Sequence, residues 1–327
     1  VMYPWLEPTF AAIDRTFMQQ HGHHALLLNA ERNLGVEQLL ERIAQGILCR
    51  QAPALEACGQ CHDCQLSASI NHPDCHRLTC EAGKTVSVEQ VREVIVQLQN
   101  HAQQDGNKVV LIPQAEKLTE SAANALLKTL EEPRDNTYFL LAADLSQPLM
   151  ATIYSRCQVW TIAAPNAQQG EDWLVTQGVA PQDAQVALKL SAHRPLQALA
   201  MIQTAQLANR KTFLRAFWAF SQTRDVMAFL EHFALNDNAL LDGQLAWLES
   251  VFADCIKCGL NIREGWVNSD LTPGIQRLMA RYTPAHFINA WQQVSQLRRD
   301  LRDISAVNSS LLVLDFLTKL ITDVFEV

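Results

Sequence analysis

A parallel α/β domain followed by helical domains is predicted by two patterns in the chain, and a third refines it. Up to residue 165, short apolar runs alternate with stretches whose apolar residues recur at helical spacing. Strands alternating with helices in this way make a parallel sheet covered on both faces. After Pro165 the strand signals stop and every strong segment has a helical period. The third pattern is a group of cysteines between residues 49 and 64, whose spacing is that of a small metal-bound module set into the first domain.

Taken in order, His24–Asn29 is a continuous apolar run and reads as a buried strand. Gly35–Leu48 carries Leu39, Leu40, Ile43 and Ile47 at helical spacing. Ser87 is placed to cap a helix bearing Val91, Val94, Ile95 and Leu98. Lys108–Ile112 is a short strand, and Thr119–Glu131 a helix with Ala123, Leu126, Leu127 and Leu130 on one face, stopped by Pro133. Thr137–Ala143 and Gln158–Ile162 complete the strands. These elements make a first domain of residues 1–165. Three short helices, Gln168–Thr176, Gln182–Leu190 and Pro195–Thr204, form a small domain over 166–207. Phe213–Phe220, Val226–Phe233, Leu240–Ile256, Pro273–Tyr282, Pro284–Leu301 and Leu311–Val324 form an all-helical domain over 208–327, with Pro273 and Pro284 tolerable in a first helical turn.

The 327 residues are 48% hydrophobic, enough for more than one core. Lys and Arg number 26 against 34 Asp and Glu, a net charge of −8. A chain this acidic has no overall attraction to nucleic acid, so any such contact needs a local patch or a partner. No apolar run is long enough to span a bilayer, and Val1–Glu7 shows no basic segment leading into an apolar one. A cytoplasmic protein without membrane contact is expected. In that reducing setting the nine cysteines are not expected to form disulfides. Cys157, Cys255 and Cys258 sit in apolar segments and read as core thiols.

Cys58, Cys61 and Cys64 follow a C-x2-C-x2-C pattern, and Cys49 lies upstream at the end of a predicted helix. Four thiolates can close a tetrahedral shell on zinc, which leaves no position for water and makes the site structural. Free cysteines and an iron–sulfur cluster are the competing readings. His62, His72, Cys75 and His76 are nearby substitutes for Cys49.

The stretch after the first strand, Ala30–Glu37, stands where a phosphate-binding loop would lie. Such a loop needs glycines, then Lys and a hydroxyl residue for phosphate and Mg2+. Here Ala30 replaces the first glycine, Gly35 is kept, Val36 replaces Lys and Glu37 replaces the hydroxyl. Glu37 would set negative charge beside phosphate, and Arg32 is the one candidate to compensate. After the strand 108–112, where an Asp-Glu pair would serve Mg2+ and water, the chain has Pro113 and Gln114, with Glu116 beyond the strand end. Binding and hydrolysis of ATP by this chain are therefore not expected.

The strings Ala122–Pro133 and Ser155–Cys157, with Tyr3–Leu6, Gly22–Leu27 and Asn308–Asp315, closely resemble the delta-prime family of bacterial DNA polymerase III clamp-loader subunits, in the clamp-loader branch of the AAA+ superfamily. The resemblance runs through the whole chain. It implies an AAA+ parallel-sheet domain with a zinc insert, a small helical lid and an all-α oligomerisation collar. It also implies that Arg156, flanked by Ser155 and Cys157, is an arginine finger inserted in trans at a neighbouring gamma/tau ATP site. The family's sensor positions match Ala143 and Leu196, neither of which can hydrogen-bond phosphate; Arg194 is shifted by two. By resemblance the partners are gamma/tau and delta subunits, with a sliding clamp and primed DNA engaged through the complex. No catalysis by the chain itself is implied. Two other classes compete: a weak ATP-binding AAA+ switch, and a zinc-dependent nucleic-acid-binding module.

Other residues have plainer readings. Without the resemblance, Arg156 reads as half of a surface salt bridge. Lys128 reads as a solvated or subunit-facing residue, and Glu131–Glu132 as the end of a helix. Trp218, Trp247 and Trp291 read as core, and Leu297–Arg302 as a salt-bridged surface turn.

Overall fold

The structure, a computed structural model, describes residues 2–81, 83–303 and 308–326. It divides into two compact units, Val1–Trp173 and Leu174–Val327.

The first unit opens with α1 (Glu7–Met18), followed by β1 (Ala25–Ala30), α2 (Val36–Leu48), α3 (His62–Ala68), β2 (Cys75–Arg77) and α4 (Val88–Leu98). Then come β3 (Lys108–Ile112), α5 (Glu120–Glu131), β4 (Thr137–Asp144), α6 (Ala151–Tyr154), β5 (Gln158–Ile162) and α7 (Ala167–Thr176), within which the division falls. The five strands form one parallel sheet in the order β2-β3-β4-β1-β5. The expected α/β architecture is thus observed. Every residue of β1 and β3 is buried, the mark of strands covered on both faces. On one face Leu27, Val110, Phe139 and Leu141 pack with Val91 and Val94 of α4 and with Leu126 and Leu130 of α5. The α2 helix covers β3 and β4, burying Leu39, Leu40, Ile43 and Ile47.

The helix starts follow local chemistry. Ser87 and Gln90 form a reciprocal capping box at α4, and the Thr119 hydroxyl caps α5. Gly35 enters α2 at φ 73°, a left-handed conformation that suits glycine. Three helices were absent from the sequence-based expectation: α1, α3 and the single turn α6. So was β2, which has only three residues, all half-buried.

Among its described residues the second unit has helices and loops but no strand. It contains α8 (Pro181–Leu190), α9 (Pro195–Gln203), α10 (Gln206–Thr223), α11 (Val226–Leu230), α12 (Asn238–Gly259), α13 (Thr272–Met279), α14 (Pro284–Asp303) and α15 (Ser309–Leu320). One core cluster runs from Phe213 to Phe325, with Phe217, Phe252 and Phe287 fully buried. Arg210 is fully buried too. It donates to Asp270 at 2.8 Å and Asn268 at 2.6 Å, and Asn268 donates to Asp254 at 2.7 and 2.9 Å. A buried charge of this kind is tolerable only when paired and hydrogen-bonded.

Trp218 and Trp247 pack against this core as expected, but Trp291 is 40% exposed. Helix α14 is amphipathic, and Trp291 lies off the face that buries Phe287, Ala290, Val294 and Leu297. The Leu297–Arg302 turn is a salt-bridged surface: Arg298 pairs with Asp242 and Glu249. Among the described residues, no helix is long and apolar enough to cross a membrane.

The loop after α2 crosses that helix at very close range. A Cβ on Gly46 would lie 2.2 Å from the Leu55 carbonyl oxygen, and Leu55 is held there by its N–H donating to the buried carboxylate of Asp14 at 2.8 Å. Gly46→Ala is expected to destabilise the first unit by about 1–3 kcal/mol, the usual cost of overpacking. Denaturant unfolding would measure it; an unchanged midpoint would contradict the packing.

Candidate functional site

Three places in the first unit carry chemistry: a knot of thiols, a cleft at the strand ends, and an arginine loop at the β5 edge.

Cys49 is the C-cap of α2, and Cys61 is the N-cap of α3, its sulfur accepting from the Cys64 N–H at 3.5 Å. Two more backbone N–H groups point at sulfur: Cys58 to Cys49 Sγ and Cys61 to Cys58 Sγ, each at 3.4 Å. The four sulfurs lie within 4.8 Å of one another, with Cys49–Cys61 and Cys58–Cys64 at 3.8 Å. A tetrahedral zinc site with Zn–S bonds of about 2.3 Å has sulfurs about 3.8 Å apart, so the donor set fits that ion. The N–H groups of Gln60 and Cys61 lower the Cys58 thiol to about 6, whereas burial pushes Cys64 up to about 12.

The residues around the thiols hold the module shut. Asp63, almost wholly buried, accepts from Arg50 Nε at 2.9 Å, joining the segment after Cys49 to the one before Cys64. His72 accepts from the Asp74 N–H on Nδ1 and turns Nε2 toward Asp63, 3.6 Å away. At that distance His72 lies beside Asp63 without a hydrogen bond to it. His62 is exposed on α3, and Cys75 and His76 lie in β2; none belongs to the four-sulfur cluster.

The cleft, of about 360 Å3, lies at the C-terminal ends of β1, β3 and β4 and is lined by Ala30, Gly35, Val36, Glu37, Pro113, Gln114 and Ala143 among others. The sequence reading is thus brought together in space, since open α/β sheets bind ligands at this edge. Trp5 Nε1 donates to the Leu34 carbonyl at 2.8 Å and pins the loop ahead of α2. Five lining residues are acidic (Glu31, Glu37, Glu81, Glu116, Asp144) and three basic (Arg32, Lys84, Lys117). Arg32 pairs with Asp144 at 2.5 Å, and Lys84 with Glu81 at 2.5 Å. Asp144 was not foreseen. Burial raises its pKa, but the Ser146 N–H and hydroxyl and the Arg32 guanidinium outweigh this and hold it below the ordinary value. The expected strand stopped at Ala143, and the structure extends it by this one residue. Leu196 lies half-buried in α9 of the second unit, where its side chain offers phosphate no donor.

Arg156 follows α6 and is not among the residues lining that cleft. Its Nη1 donates to the Thr152 carbonyl at 2.9 Å and to Ser155 Oγ at 3.2 Å, and its Nη2 pairs with Glu131. Tyr154 ties the turn to β1, its hydroxyl accepting from Asn29 Nδ2 at 3.1 Å. The Cys157 thiol is pushed up to about 12 by burial, so it is no nucleophile at neutral pH.

The chain matches two family models: "DNA polymerase III, delta subunit" over residues 6–166, and "DNA polymerase III, delta subunit, C terminal" over residues 204–322. The α/β unit with its thiol module and the helical unit are thus those of a DNA polymerase III subunit. Within that class, the chain belongs to the DNA polymerase III subunit delta' family. It is 44% identical to DNA polymerase III subunit delta' of Haemophilus influenzae, over 99% of this chain and 98% of that one. It is 35% identical to the Escherichia coli K12 subunit delta', over 97% and 95%. Among solved structures, a DNA polymerase III gamma subunit-related protein from Thermotoga maritima aligns over 98% of this chain and 99% of its own, with 13% identity and a TM-score of 0.48.

The thiol environments differ enough to be read chemically. In the metal-free chain, alkylation of Cys58 is expected to rise through about pH 6 while Cys157 stays unreactive at pH 8. Mass spectrometry of iodoacetamide-treated protein checks this; equal labelling of the two would contradict it.

Proposed function

We propose that the chain is a non-hydrolysing clamp-loader subunit of a bacterial replicative polymerase, acting in the cytoplasm. In this reading it assembles with gamma/tau and delta subunits and helps place a sliding clamp on primed DNA. The observation that carries the proposal is a contrast within the first unit. Its own cleft has Val36 and Glu37 where lysine and hydroxyl are needed, Pro113 and Gln114 where Mg2+ ligands are needed, and more acid than base. Arg156 stands outside that cleft, on a short turn.

The chemistry is that of charge supplied across a seam. A guanidinium is always charged and forks onto phosphate oxygens. Placed at a neighbour's ATP, Arg156 would stabilise the charge that develops on the transferred phosphoryl group, an effect of about a thousandfold or more in related hydrolases. Ser155 and Cys157 would shape the loop. The weak-switch reading is less well supported, because Arg32, its compensating cation, is engaged by Asp144. The nucleic-acid module reading is weakened in the same way, because Arg50 beside the thiols is engaged by Asp63.

In the proposed architecture residues 1–165 form the AAA+ domain, 166–207 a lid and 208–327 a collar. Support comes from the second unit's core cluster, which begins at Phe213 and includes no residue of α8 or α9. Zinc, when bound by Cys49, Cys58, Cys61 and Cys64, would supply only structural cross-linking, since four thiolates complete its shell.

Arg156→Ala is expected to fold normally yet lower the ATPase rate of the complex reconstituted with gamma/tau and delta by at least tenfold at the adjoining site. An unchanged rate would refute the trans role. Calorimetry on the chain alone should detect no micromolar binding of Mg-ATP. Cys61→Ser is expected to lose zinc and lower the unfolding temperature of the first unit; equal stability with and without chelator would rule out a structural ion.

A further inference from the structure

Two of the strings that carry the family resemblance, Ala122–Pro133 and Ser155–Cys157, meet in one ion pair. Glu131, the last residue of α5, engages Arg156 Nη2 through Oε1. The other terminal nitrogen is held by the Thr152 carbonyl and Ser155 Oγ, and Nε is buried without an acceptor. A guanidinium grips phosphate with two parallel N–H bonds from one edge. Held as it is, Arg156 presents no free edge.

We infer that Glu131 is a positioning residue that keeps Arg156 in reserve until a phosphate displaces the carboxylate. This rests on the trans reading of Arg156 above. Glu131 is a competitor rather than a neutral prop, because a carboxylate offers the guanidinium the same kind of anionic oxygens as a phosphate. The pair is only partly shielded, with side-chain exposures of 26% for Arg156 and 49% for Glu131. Such pairs contribute little net stability, so a multiply charged triphosphate can outcompete Glu131 while bulk water does not. The end of α5 does not need the pair. The Glu132 N–H already bonds the Lys128 carbonyl at 3.0 Å, and Pro133 stops the helix. Glu131 therefore sets when the arginine is available, and each engagement at the neighbouring site must first break its bond.

Two measurements test this. In the isolated full-length chain, nitrogen-15 NMR should show hindered rotation about the Arg156 Cζ–Nη2 bond, relaxed in Glu131→Gln and kept in Glu131→Asp; free rotation of Nη2 in the parent overturns the proposal. In the complex reconstituted with gamma/tau and delta, Glu131→Gln should raise kcat/KM for ATP by about 1.5- to 5-fold, the range spanned by exposed ion pairs. The change should appear mainly in KM and vanish when Arg156→Ala is already present. A decrease, no change, or the same rise in the Arg156→Ala background overturns the proposal. If Arg156→Ala alone has no effect while NMR still shows the contact, the trans reading has failed and the pair is merely structural, which overturns the positioning role as well.

Discussion

The pairing of β1 with both β4 and β5 is the constraint on which the first unit depends. Each residue of β1 is fixed in register, Ala30 against Asp144 on one side and against Ile162 on the other. Its last residues therefore have no freedom in where they end. Ala30 opens the cleft. Asn29, one position earlier, reaches Tyr154 and sets the turn that bears Arg156. One strand thus locates both the cleft and the cation loop, and a slip in its register would displace both together.

The cleft and the loop show opposite electrostatic arrangements. In the cleft, opposite charges face each other at short range, and the excess acid disfavours polyanions. At the loop, one carboxylate holds one guanidinium at a half-open surface where water can exchange with it. The difference lies less in the residue types, which are the same, than in how many anions surround each cation.

Much of this could be read from the chain. The strands β1, β3 and β4 were legible because each is a continuous apolar run, and α2, α4 and α5 because their buried residues keep helical spacing. The thiol module was legible through spacing alone, since turns of C-x2-C bring sulfurs together whatever surrounds them. The ion pairs could not be read because they join residues far apart in sequence. The Glu131–Arg156 and Arg32–Asp144 pairs exist because parallel crossovers bring one end of several strands together, and no local pattern records that. The short elements β2, α3 and α6 escaped for a different reason. Each is too short for a period to establish itself, and α3 owes its start to the Cys61 sulfur.

The close crossing of Leu55 over Gly46 has a mechanical consequence. With carbonyl against helix backbone and the Leu55 amide clamped by Asp14 of α1, the insert is riveted to α2 with no slack between them. A displacement of the insert must be transmitted to α2, and through α2 to the sheet it covers. The thiol knot, which includes Cys49 at the end of α2, joins the insert to that helix at a second point.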